Sequence, residues 1–342
     1  HRNTRRQRQM CIRDRVETRA EDQQNWTPLS QYDQLCPGDH LRVGAHSRAA
    51  LSLNDDSLLR LPQHSTIRIS APKEDGSAWL DLLEGITHFI SRVRHGLQIN
   101  SPYVNASIEG TEFTVKSTKE QGSVTVLEGR VRAANEQGEL LLEAGQRAVA
   151  GANKAPRAEA VVDPLDAVQW ALYYPPVVQP STDGASSDLS DSYKAYREGN
   201  LEQAFAALER VSGVETSADL QVYRAALLLR VGEVEAAQRD LDAALALSAD
   251  DPDALALKSI IASVRSQRQQ AIDLAQQALN ANPSSASALL ALSYARQGNF
   301  QLSEALDAAE KATQTASDNA LAWSRLADLQ LMFRHLDAAS AS

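Results

Sequence analysis

The residue types that perform chemistry are present in this sequence, but not in the arrangements that chemistry requires. His40, His46, His64, His88 and His95 recur through the N-terminal half, and two or three imidazoles brought together would suit a zinc ion. Their separations follow no ligand spacing, so the expectation is histidines on the solvent side of strands and turns. Glu109 and Glu112 are near enough to suggest a carboxylate pair for general acid–base work. Three residues apart on a strand, side chains face opposite sides of the sheet, so the pair is read as structural. Gly38, Gly44 and Gly110 lack the strand–GxGxxG–helix setting that cradles a phosphate and are read as turn glycines. There is no Walker loop, no HExxH and no G-x-S-x-G elbow. The expectation is a protein that is not an enzyme and uses no metal or cofactor.

The elements that hold these residues fall into two regions. At 342 residues, with 43% hydrophobic and 23% charged side chains, the chain has room for two domains that each bury a core. No run approaches the eighteen apolar residues of a membrane span. A net charge of -10 argues against a nucleic-acid partner, since phosphates need clustered Lys and Arg. The first nineteen residues run the other way, with seven Arg against Asp14 and Glu17. That is either a basic arm for an acidic partner or sequence foreign to the protein. Met10-Cys11-Ile12-Arg13-Asp14-Arg15 resembles a translated sequencing adaptor. Residues 1–15 are therefore expected to be a non-native segment, with 16–34 a lead-in. Setting Cys11 aside leaves Cys36 alone, which rules out an intramolecular disulfide framework.

From Leu35 to Ala150 the apolar period is two. Leu41 and Val43, then Ala49, Leu51 and Leu53, Leu59 and Leu61, and Ile67 and Ile69 alternate with polar neighbours. Asn54-Asp55-Asp56 marks a turn, and Gly85, Gly129 and Gly145 each close an apolar run. Short strands at this spacing predict an all-β sandwich or roll. The residues also carry a resemblance. Pro37-Gly38-Asp39-His40-Leu41-Arg42-Val43-Gly44, Ser47 to Leu53, Leu83-Glu84-Gly85, Gly110-Thr111-Glu112-Phe113-Thr114-Val115, Val126 to Val131 and Ala144-Gly145-Gln146 occur in the order and spacing of a FecR domain. This region, 35–150, resembles that family. The resemblance implies an extracytoplasmic domain, since the family is named for a periplasmic regulator that relays ferric-citrate transporter occupancy to a sigma factor.

Residues 151–190 read as a Pro- and aromatic-rich linker. Asp163 to Tyr174 is expected to form a short helix, capped by Asp163, with Pro164 first inside and Pro175-Pro176 stopping it. Trp170, Tyr173 and Tyr174 either form an exposed docking patch or pack on a neighbouring domain, and packing is the expectation. Ser181 to Ser190 reads as a flexible joint.

Beyond residue 190 the period becomes helical and the sequence repeats itself. Ala204, Ala237, Ala271, Ala305 and Ala339 recur at 33- to 34-residue intervals, the length of a tetratricopeptide (TPR) unit. Ala225, Ser259, Ala291 and Ala327 are assigned to the small position of each first helix, and Trp323 to the bulky position that Leu255 holds earlier. After Gly298-Asn299-Phe300 the second helix is read as starting two residues late. The recurring Pro and Gly forbid one continuous coiled coil. Residues 190–342 are thus expected to be an all-α solenoid resembling TPR proteins. Its last unit is cut near Ala339, as in a fragment of a longer chain.

The TPR resemblance implies a concave groove, lined by the first helices, that holds a protein or peptide partner. Mapped by register, that groove is Asp219, Val222, Ala226, Arg230, Asp253, Ala256, Ile260, Ser263, Leu292 and Arg296. The functional expectation is a non-enzymatic, protein-binding scaffold of the bacterial cell envelope or periplasm. The alternatives are a FecR-type transmembrane regulator of a sigma factor, and a carbohydrate- or wall-binding module with Trp79 and Tyr103 as platforms.

Overall fold

Alternation dictates which side chains of the N-terminal region go inward, and the strands obey it. Leu41, Leu51, Leu59, Leu61 and Ile67 are each fully buried, while Arg42, Ala50, Ser52, Arg60 and Thr66 beside them are not. The computed structural model describes the backbone of residues 7–13 and residues 15–30, 33–53, 57–70, 78–91, 97–108, 111–160, 163–180 and 186–333. The turn at 54–56, Glu109, Gly110, His95, the side chain of Trp79, residues 181–185 of the 181–190 joint and Ala339 lie outside the described residues. The chain divides into two units, 1–171 and 172–342.

Unit one is built of two sheets sharing one long strand, β9 (Ala78–Ile90). The first sheet holds β1 (Gln7–Arg13), β4 (Gln34–Leu35), β6 (Arg48–Ser52), β7 (Leu58–Leu61), β12 (Glu112–Ser117), β13 (Gln121–Glu128), β16 (Gln146–Gly151) and β17 (Arg157–Ala160). The second holds β2 (Val16–Arg19), β3 (Thr27–Pro28), β5 (His40–Val43), β8 (Thr66–Ser70), β10 (Leu97–Asn100), β11 (Asn105–Ile108), β14 (Arg130–Asn135) and β15 (Gly138–Glu143). Among the described residues every pairing is antiparallel except β9 with β10. The sheets enclose one core, in which the Phe89 and Phe113 rings pack 5.5 Å apart.

The sequence pattern predicts a strand end at Gly85. Instead β9 runs through it and changes sheet there: residues 79–84 pair with β8, and 85–90 with β12. Gly85 sits at φ +98, and a Cβ there would lie 2.6 Å from Ser65 Cα. Only a residue without a side chain lets the corner close. Gly129 and Gly145 do end their runs, at φ 79 and 82. The edges of the unit also reach past 35–150. Strand β1, within the segment set aside as foreign, pairs with β6, and the lead-in strand β2 pairs with β5. At the other end β17 extends the sheet to Ala160.

The expected helix after Asp163 shrinks to two 3-10 turns, Pro164–Ala167 and Gln169–Ala171. Asp163 does cap, accepting from the Leu165 N–H. The helix fails to propagate because Tyr174 precedes a proline, which disfavours helical backbone at that position. The carbonyls of Trp170 and Ala171 are instead taken by Arg48 (2.8 Å) and Arg60 (3.4 Å) of the β-unit.

Unit two consists of α1 (Ser187–Arg197), α2 (Leu201–Leu208), α3 (Ala218–Val231), α4 (Val234–Leu247), α5 (Pro252–Val264), α6 (Arg268–Ala281), α7 (Ala286–Gly298), α8 (Leu302–Thr315) and α9 (Ala320–Met332). Each odd-numbered helix from α1 to α7 packs on the even-numbered helix after it. The starts of these first helices are set by caps spaced 34 residues apart, Ser217, Asp251, Ser285 and Asn319, each accepting from a first-turn N–H. Close crossing is secured by Ala204, Ala237, Ala271 and Ala305, all fully buried. Opposite three of them a serine donates to the alanine carbonyl: Ser192 to Ala204 (2.7 Å), Ser259 to Ala271 (2.7 Å) and Ser293 to Ala305 (2.8 Å).

This ladder corrects the register of the fourth pair. Helices α7 and α8 begin 34 residues after α5 and α6, so the turn at Phe300 is not longer than its predecessor. Phe300 (φ 61) is the equivalent of Ser266 (φ 60) and Gly232 (φ 83). The small position is Ser293, not Ala291. The glycine at Gly298 mimics the turn two residues early.

Candidate functional site: the concave face of the helical unit

Positions facing the inside of a helix-pair array recur with the helices. Tyr193 on α1, Ala226 on α3, Ile260 on α5 and Tyr294 on α7 each follow directly on the small position of their helix, Ser192, Ala225, Ser259 and Ser293, and are equivalent. Tyr193 and Tyr294 are absent from the sequence-derived groove, and the two-residue slip puts Leu292 and Arg296 where Tyr294 and its neighbours belong. The 34-residue spacing of the capping Ser, Asp and Asn is the signal that identifies Tyr294, and the serine at 192 is the signal for Tyr193.

The ten sequence-derived positions split into three groups. Val222, Ala226, Ala256 and Ile260 are buried, at 2%, 7%, 0% and 0% exposure. They share one apolar cluster with Tyr174, Val177 and Val178, which are 2%, 0% and 6% exposed. Asp219 is exposed and Asp253 half-buried, at the starts of α3 and α5. Burial pushes the Asp253 carboxyl above its ordinary value, aided by Asp251 and Asp219 and opposed by a hydrogen bond that Ser287 donates. Arg230, Ser263, Leu292 and Arg296 are half-buried. Arg296 turns away to Gln301 (2.7 Å), and Leu292 packs into the apolar clusters.

The aromatic rim is dense. Tyr193 and Tyr196 both stand edge-on to Tyr223, at 4.6 and 6.1 Å between ring centres. Burial raises the pKa of the Tyr196, Tyr223 and Tyr294 hydroxyls above the ordinary tyrosine value, that of Tyr223 most clearly. Tyr173 is 61% exposed, yet lies near enough to both Tyr196 and Tyr294 to add to that shift. Arg325 of α9 is buried at 3% exposure. It donates to Ser293 Oγ (2.9 Å) and carbonyl (3.2 Å) and lies 3.9 Å over the Tyr294 ring. Burial lowers the pKa of its guanidinium. The inner surface is thus apolar and aromatic, with carboxylates at one end.

The β-unit places its candidate chemistry differently from expectation. His88 is not solvent-facing: it is 1% exposed, contacts Glu112 at 2.8 Å and meets the edge of Trp170 at 6.3 Å. The His88 hydrogen bond, helped by the charge of Arg60, holds the Glu112 carboxyl below its usual range despite partial burial. His64 is exposed, and His40 and His46 are half-buried apart from one another. No group of three metal-ligating side chains converges among the described residues. Tyr103 lines a polar cleft of about 350 Å³ with Asn105, Asn135 and Asn153, its hydroxyl bound to the Lys119 carbonyl. No helix among the described residues is long and apolar enough to cross a membrane.

The profile of the family described as FecR protein matches residues 39–132. No curated protein sequence matches the chain. Among solved structures, the chain is similar to a candidate anti-sigma factor from Parabacteroides distasonis, with 16% identity, 40% of this chain and 68% of that one covered, and a TM-score of 0.35. It is also similar to TTC0263, a thermophilic TPR protein of Thermus thermophilus, at 19% identity over 45% of this chain and 85% of that one, TM-score 0.40. Pseudomonas aeruginosa PilF is similar at 18% identity, covering 45% and 71%, TM-score 0.35. At these scores the structures add nothing to the assignment, which rests on the profile match and the helix-pair geometry. Residues 39–132 carry a FecR domain, and the helical unit behind it is an array of tetratricopeptide-type helix pairs.

Proposed function

We propose that this chain is a non-enzymatic adaptor of the bacterial cell envelope, in which a FecR-type β-unit is tethered to a TPR solenoid that holds a protein partner. The observation that carries this reading is the pairing itself: a FecR match and a stack of helix pairs in one chain. The apolar, aromatic inner face suits a peptide rather than a polyanion, in keeping with a net charge of -10. The sequence-derived groove enters as a face whose apolar floor is Val222, Ala226, Ala256 and Ile260 and whose charged rim is Asp219, Asp253 and Arg230.

The test is retention of a partner by the immobilised full chain, from envelope and from cytoplasmic extracts, against a variant carrying Asp219→Lys and Arg230→Glu. The reading expects a defined protein from the envelope extract that the variant loses. Equal retention by both chains, or a partner drawn only from the cytoplasmic extract, refutes it. The FecR match favours a second reading, sigma-factor signalling. Co-expression with the cognate sigma factor and its reporter would then shift reporter output, and an unchanged output discards it.

A further inference from the structure

We infer that the chain carries its own ligand for the concave face: the extended segment Leu172–Pro180 occupies it as a displaceable latch, and a partner enters with an extended peptide of the same aromatic, proline and β-branched character. The inference rests on the TPR reading of the helical unit.

Two observations support it. Val222 and Ala226 on α3 and Ile260 on α5 face inward, yet are closed from solvent in one cluster with Tyr174, Val177 and Val178. Second, the covering segment has no helix or strand of its own between Leu172 and Pro180. Pro175, Pro176 and Pro180 fix its φ angles and remove three N–H donors, so it enters the face with little ordering entropy left to lose.

Displaceability follows from the balance of terms. Three buried apolar side chains, Tyr174, Val177 and Val178, oppose the backbone ordering of the segment's residues other than its prolines. The segment is also joined to α1 by residues 181–185, so its effective concentration at the face is set by a short connection.

The test uses the full chain and a fluorescein-labelled peptide with the sequence of residues 172–180, read by anisotropy. Inserting twenty Gly/Ser residues between Thr182 and Asp183 leaves every contact intact but lengthens the tether. Effective concentration falls as about the −3/2 power of length, so the labelled peptide should bind about tenfold more tightly to the insertion variant. A variant with Val177→Asp and Val178→Asp should remain folded and also bind more tightly than wild type. A peptide carrying the same two aspartates should not bind. Equal affinity for wild type and insertion variant, no binding to either, or unfolding of the helical unit by the two aspartates would each make the segment a permanent part of the core and overturn the latch. None of these measurements involves an envelope partner, so failure of partner capture and failure of the latch are separately visible.

Discussion

Gly85→Ala is the sharpest test of how the β-unit is built. The substitution adds one methyl group at the corner where β9 leaves one sheet for the other. Two penalties follow from the geometry. The backbone sits at φ +98, where an L-residue costs about 1–2 kcal/mol. The methyl would also lie 2.5 Å from Ser65 Oγ, 2.6 Å from Ser65 Cα and 2.9 Å from the His64 carbonyl. Two of those atoms are backbone and cannot swing aside. Ser65 Oγ is itself held, accepting from the Ile86 N–H and donating to the Ile86 carbonyl, both at 3.1 Å. Overpacking of this kind costs about 1–3 kcal/mol, so the total is roughly 2–5 kcal/mol. Gly145→Ala isolates the first penalty, because Gly145 has φ +82 but a methyl added there would meet no atom within 4 Å. Guanidinium titration followed by tryptophan fluorescence reports on this unit, which holds Trp26, Trp79 and Trp170 of the four tryptophans. Gly85→Ala should lose about 1–3 kcal/mol more than Gly145→Ala. Equal losses would mean that the close approach to Ser65 does not form the corner.

The helical unit and the buried ion contact give further tests. Ser266→Gly should stabilise by about 0.5–1 kcal/mol, since Ser266 holds φ 60 where Gly232 stands one repeat earlier; a thermal melt that falls refutes the register. Ser293→Ala removes a donor to Ala305 and the acceptor for buried Arg325, whereas Ser259→Ala removes only the bond to Ala271. The first should cost about 1–2 kcal/mol more than the second by urea titration, and parity counts against Arg325 depending on Ser293. The Glu112 carboxyl is depressed first by His88, so its contribution to stability is present above the ordinary value of 4.5 and is lost as pH falls below it through the folded-state value. Glu112→Gln should flatten the acid limb of a stability–pH curve in that window, and an unchanged limb would show that the His88 contact does not titrate there. Asp253, raised by burial, works in the opposite sense: it detracts from stability above its folded value, and Asp253→Asn should raise stability at neutral pH in a denaturant titration.

The sequence by itself determined the two architectures, because both are written in local periods. Alternation sends Leu41, Leu51, Leu59 and Ile67 inward whatever their partners. The alanines at 204, 237, 271 and 305 mark helix crossings that only small side chains permit. Tertiary structure decided what local pattern does not encode. Gly85 reads as a strand end from its neighbours, but its role as a corner exists only because Ser65 approaches from another strand. His88 reads as an exposed strand residue until Glu112 and Trp170 close over it. The fourth pair's register is obscured by Gly298, a glycine inside a helix, and is fixed by the cap at Ser285 and the Ser293–Ala305 bond. Tyr174-Pro175-Pro176-Val177-Val178 reads as a helix stop and linker, since an extended segment has no period of its own. That Tyr174, Val177 and Val178 are buried in one cluster with Val222, Ala226 and Ile260 depends on packing between residues far apart in the chain, and a local pattern carries no record of it.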